Sequence, residues 1–157
     1  MPKITSKRVL YPKASGGLNI LIPCECGLTI EQIIEKDLPK ENGATIEHVV
    51  LENENFNIDF SFLEAYIFHP VKGYDFNSII AKDIWRSKLE EAKEDTLKNL
   101  DILFVRALEA NDLALQNEIK QRKTALREIT GFEINGSTPE EIKSFWPEIL
   151  GPKPEFI

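Results

Sequence analysis

Four side chains of this chain could bind a soft metal ion: Cys24, Cys26, His48 and His69. Structural zinc takes four Cys or His ligands, usually paired as C-x2-4-C and H-x3-5-H. Here the cysteines stand as C-x-C and the histidines are scattered. Buried cysteines and surface histidines fit that spacing better than a metal centre, so no metal or other cofactor is expected. The C-x-C spacing also reads as a poor intrachain disulfide. Two cysteines are too few for a secreted disulfide framework, which points to a reducing cytoplasm.

His48 stands beside Glu47 and could serve as a base. A catalytic dyad also needs a nucleophile in a G-x-S-x-G or comparable setting, and Ser15-Gly16-Gly17 reads as a turn instead. Gly16-Gly17 lacks the spacing of a phosphate-cradling loop. The expectation is therefore a protein without enzymatic activity. Asp101, Arg106, Arg122 and Arg127 gather on the helical half, where they read as ion pairs tying two helices together. Arg122 falls in an apolar stripe and should find an acidic or carbonyl partner. Trp85, Phe145 and Trp146 are anchors of either a core or an interface. Core is the better general reading, but the Phe145-Trp146-Pro147 corner is the preferred exposed contact.

The elements that must position these groups fall into two halves. The chain has 157 residues and a net charge of -7. That charge argues against non-specific nucleic-acid binding, which needs a basic face. No apolar run approaches the roughly 20 residues that span a bilayer, and the first residues have no apolar core of a secretory signal. Neither nucleic acid nor a membrane is expected as a partner.

Charge is uneven along the chain. Residues 1–24 carry Lys3, Lys7, Arg8 and Lys13 and no acid. Residues 41–71 carry Glu41, Glu47, Glu52, Glu54, Asp59 and Glu64 and no Lys or Arg. Such polarity steers partners. Glu47, Glu52, Glu54 and Glu64 join Trp146 and Phe145 as candidate contact residues.

Residues 1–75 read as a small α+β unit. Strands are predicted near Lys7–Tyr11, Leu18–Ile22 and Ile46–Glu52, with turns at Ala14–Gly17 and Asn42-Gly43. Thr29 with Gln32 is a capping box opening a short helix. Phe56, Ile58, Phe60 and Phe62 alternate as on a strand.

Residues 76–157 read as helical. Trp85, Leu89, Ala92, Thr96, Leu100, Leu103 and Ala107 step by four and three, and Leu97, Phe104 and Leu108 widen the stripe. A second stripe runs through Leu115, Ile119, Arg122, Leu126 and Ile129. The four-residue break at Ala110–Leu113 forces the two helices into an antiparallel hairpin. Gly131 is expected to stop the second helix. Thr138, Pro139 and Glu141 open a short third helix, followed by an extended, loose tail. The fold class is α+β: a small β-rich unit, an antiparallel helical hairpin and a short C-terminal helix.

Five segments carry a resemblance. They are Phe62–Tyr66, Ala81–Leu89, Leu100–Ala107, Lys123–Thr130 and Thr138–Pro147. Together they resemble small proteins of tailed bacteriophages and prophages encoded in the tail-fibre region, a tail fibre assembly chaperone-like family. Tyr66 stands where that family has Trp, and Glu128 where it has Asp. The resemblance implies a non-enzymatic protein that binds another phage protein, a tail fibre or tail component. It would act in the host cytoplasm during assembly. Two alternatives stay open: a structural component retained in the virion, and a host-directed inhibitor acting through the acidic stretch. Self-association is open in each.

Overall fold

The computed structural model describes residues 3–155 and 157. The chain divides into two compact units, Met1–Ile80 and Ala81–Ile157. The division falls in the first turn of a long helix.

The first unit is built on an antiparallel sheet of order β2-β1-β5, with β1 at Lys7–Pro12, β2 at Leu18–Leu21 and β5 at Val49–Glu52. β1 is central, so Val9 and Leu10 are completely buried. Helix α1, Ile30–Asp37, opens with Thr29 as N-cap and Gln32 reaching back, the reciprocal cap expected from sequence. Its Ile34, with Leu38 just past its end, packs on Val9. A two-residue hairpin, β3 (Lys40–Glu41) and β4 (Ala44–Thr45), turns at Asn42-Gly43, both at positive φ. The third strand is shorter than expected. Ile46 N–H instead donates to Pro39 O at 3.0 Å, which leaves only Val49–Glu52 to pair with β1.

The alternating Phe56–Phe62 segment is not a strand. Residues 56–59 run without regular structure between two 3-10 turns, Asn53–Asn55 and Phe60–Ala65. Asp59 is the cause. Its Oδ1 accepts Ser61 N–H at 2.9 Å, and its own N–H donates to the Tyr66 hydroxyl at 3.1 Å. Such local side-chain bonds compete with a strand ladder. The alternation therefore fails: Phe62 is buried and Phe60 is exposed. A further hairpin follows, β6 at Tyr66–His69 and β7 at Gly73–Phe76. Gly73 (φ +92°) is required there, because an added Cβ would lie 2.6 Å from Leu10 Cδ1.

The second unit holds all but the first three residues of α2 (Ser78–Glu109), with α3 (Leu113–Glu128) and α4 (Pro139–Ser144). Asn111, at φ 53°, makes the left-handed turn after α2, and Asp112 caps α3 through Leu115 N–H. Cross-helix contacts fix an antiparallel hairpin. Asp101 pairs with Lys123, and Lys93 Nζ donates to Ile129 O at 2.7 Å. Trp85, Leu89, Leu100, Ala107, Ile119 and Leu126 are buried. Leu103 is not; it is 43% exposed and does not belong to the core.

The α3 stripe is shifted from the expected phase. Gln116, Ile119, Lys123 and Leu126 face inward, while Leu115 and Arg122 are exposed. Arg122 is thus a surface residue and needs no buried partner. Helix α3 ends at Glu128, capped at Ile129 through Leu126 O, so Gly131 plays no part in stopping it. Phe132, Ile134, Ile142 and Leu150 complete this core. Trp85 Nε1 donates to Phe145 O at 2.8 Å, and Arg86 Nε to Phe132 O at 3.1 Å. The tail is tied down rather than loose. Trp146 Nε1 donates to Gly151 O at 2.9 Å, and Lys153 Nζ to Lys143 O at 2.6 Å.

Candidate functional site

A charged helix pair buries its apolar stripe along one seam and shows water its polar faces. The hairpin follows that rule from Trp85 to Leu100 and departs from it towards its turn. The run Ile102-Leu103-Phe104-Val105 is apolar right round the helix, and two helices cannot cover all of it. Ile102, Leu103, Val105 and Leu108 on α2, with Leu113 and Leu115 on α3, are exposed, Leu113 by 71%. Phe104 is half-buried between α3 lysines, with Lys120 Nζ at 5.5 Å and Lys123 Nζ at 5.6 Å from its ring centroid. The end of the hairpin is therefore an apolar surface on a rigid, capped support. Exposed apolar side chains grouped at one end of an element are candidates for a contact surface. Sequence reasoning placed Leu103, Phe104, Leu108 and Leu115 in the apolar stripes, put Leu113 in the break between the helices, and gave Ile102 and Val105 no role. The signal that could have found them is the apolar run itself, which is too wide for a two-helix seam.

The residues expected to make contacts are placed differently. Trp146 is half-buried, with its ring 6.3 Å from Trp85 and its indole N–H bonded to Gly151 O. It lines a cavity of about 400 Å³ together with Thr96, Asn99 and Leu150. Phe145 is also half-buried, with its ring 6.4 Å from Phe132. Both aromatics hold the fold of the second unit together.

The acidic residues do not form one free acidic face. Antiparallel pairing sets Lys7 opposite Glu52, and Lys7 Nζ bonds the Glu52 carboxylate, which Ser6 Oγ also reaches at 3.0 Å. These bonds, that of Lys7 first, hold Glu52 below its ordinary pKa. Lys13 Nζ lies 3.6 Å from Glu64. Glu47 and Glu54 are exposed and make no ion pair among the described residues. Lys7 and Lys13 thus neutralise two of the six acids of the 41–71 stretch, Glu52 and Glu64.

The possible metal ligands are dispersed. Cys24 and Cys26 are free and exposed, contrary to the expected burial. His48 Nδ1 lies 2.9 Å from Ile46 O, while His69 Nδ1 accepts the N–H groups of Val71 and Lys72 in the β6–β7 turn. Among the described residues, no three His, Cys, Asp or Glu side chains converge on a common point. Among them, too, no helix is long and apolar enough to cross a membrane. No protein-family model, curated protein or solved structure matches this chain.

Proposed function

We propose that this chain is a non-enzymatic phage tail-associated protein, an assembly chaperone that binds a fibre or tail protein through the end of its helical hairpin. One observation carries the binding part of this reading: the apolar side chains left exposed around residues 102–115 of a hairpin that is otherwise charged outside. Burying such side chains against a partner is favourable by about 25 cal/mol per Å² of apolar surface. A growing fibre chain shows apolar surface and unpaired strand edges before it assembles, and a small apolar patch on a stiff arm can cover them reversibly. The phage context rests on the resemblance of the five segments named above.

The acidic stretch gives weaker support to a host-directed role, since Glu52 and Glu64 are already paired with Lys7 and Lys13. The test is co-expression of the tagged chain with the tail and fibre proteins of the same genome, with mass spectrometry of purified virions alongside. The chaperone reading expects a complex with one of these proteins and no chain in the particle. Fixed stoichiometry in the virion would make it a structural component, and absence of any complex would remove the proposal.

A further inference from the structure

The outer face of the last turns of α2 carries an arrangement that the hairpin itself does not use. Lys98, Ile102, Val105 and Glu109 step by four, three and four, so they share one face of the helix. Leu100 and Ala107, two places away from Ile102 and Val105, are buried. At about 100° per residue the outer face therefore lies on the far side of α2 from the seam. Ile102 is 55% exposed and Val105 53%, within the last quarter of α2. Lys98 and Glu109 are exposed too, and Lys98 Nζ lies 3.6 Å from the Asp95 carboxylate one turn back.

We infer that this face is a two-fold contact with a second copy of this chain, the two α2 helices packing antiparallel. The order of charges carries the inference. A base, two apolar residues and an acid, in that order, form a self-complementary strip when the second strip runs the other way. A two-fold axis between Ile102 and Val105 sets Ile102 of one copy against Val105 of the other. The same axis sets Lys98 of each copy against Glu109 of the other, twice. A parallel pairing would put Lys98 on Lys98 and Glu109 on Glu109, which like-charge repulsion disfavours. Contacts of this symmetry use one patch on both subunits. The strip spans about three turns, well short of the surface that a permanent dimer buries. The dimer is therefore weak and depends on concentration. It does not require the fibre-protein reading.

Sedimentation equilibrium of the full chain tests this, at low salt and at concentrations up to on the order of 1 mM. The mass is expected to rise from that of one 17.9 kDa chain towards twice that value. Lys98→Glu alone and Glu109→Lys alone should each weaken the dimer several-fold, and the double variant should restore it. Ile102→Asp should weaken it about tenfold or more. The charge variants sit on the surface, so circular dichroism should show unchanged helicity in all three. A chain that stays monomeric throughout overturns the inference. So does a dimer that Ile102→Asp leaves intact, or a double charge variant as weak as the single ones.

Discussion

Gln116 donates its side-chain amide to the carbonyl of Ala107 at 3.2 Å, inside the seam of the helical hairpin. Gln116 is buried, and the same carbonyl also accepts Asp112 N–H at 2.9 Å. The bond clips the start of α3 to the end of α2. A polar residue at such a position sets register at some cost in stability. Gln116→Ala should cost about 1 to 2 kcal/mol, from a lost hydrogen bond and a small void. Gln116→Leu should be nearly neutral, because the Ala107 carbonyl keeps its Asp112 partner. Urea unfolding followed by tryptophan fluorescence measures both, since Trp85 and Trp146 both belong to this unit.

Leu100 and Leu103 are three residues apart on α2 but lie in different surroundings, 3% and 43% exposed. Leu100→Ala should cost about 2 to 5 kcal/mol, as for a buried leucine. Leu103→Ala should cost less than about 1 kcal/mol. Equal losses in urea unfolding would mean that Leu103 also faces the core and that the helix is rotated about its axis.

Trp146 joins the Trp85 ring contact to the Gly151 hydrogen bond. Trp146→Ala should therefore destabilise the second unit by about 2 to 4 kcal/mol and release the tail. Limited proteolysis should then cut after Leu150 faster than in the unaltered chain. An unchanged melting temperature together with a lost partner complex would return Trp146 to the role of exposed anchor.

Glu141 closes the capping box of α4. Its carboxylate accepts the N–H groups of Ser137 at 2.7 Å and Thr138 at 3.3 Å. These bonds, Ser137's first, hold its pKa below the ordinary 4.5. The folded value is lowered, so the contribution is complete above pH 4.5 and is lost as pH falls through the lowered folded value. Glu141→Ala should lower the melting temperature at pH 7, and the gap should close on acidification below the usual carboxylate range. A gap that is constant down to acid pH would contradict the assignment.

The helix N-cap and turn signals in this chain read true. The capping boxes at Thr29 and Gln32 and at Thr138 and Glu141 form as their spacing requires, and Asn111-Asp112 makes the hairpin turn. The α2 stripe was legible because Trp85, Leu89 and Leu100 are apolar at helical spacing. The α3 stripe was not, because Gln116 and Lys123 face inward and hydrophobic periodicity passes over polar residues. The Phe56–Phe62 alternation was overruled by the Asp59 bonds. The charge polarity is reduced by two pairs that join residues far apart in sequence, Lys7 with Glu52 and Lys13 with Glu64. The candidate site was hidden for a related reason: an apolar run such as Ile102–Val105 reads as core until the number of helices available to cover it is known.

The proposed contact between the apolar end of the hairpin and a fibre or tail protein rests on side chains that can be changed without touching the core. Its most direct test is co-purification of a Leu103→Lys, Leu108→Lys, Leu113→Lys variant with the tail and fibre proteins that the unaltered chain captures. All three positions are exposed, so the variant should keep its helicity and melting temperature while losing the complex. A folded variant that retains the complex at full strength, or an unaltered chain that captures none of these proteins, would contradict the account.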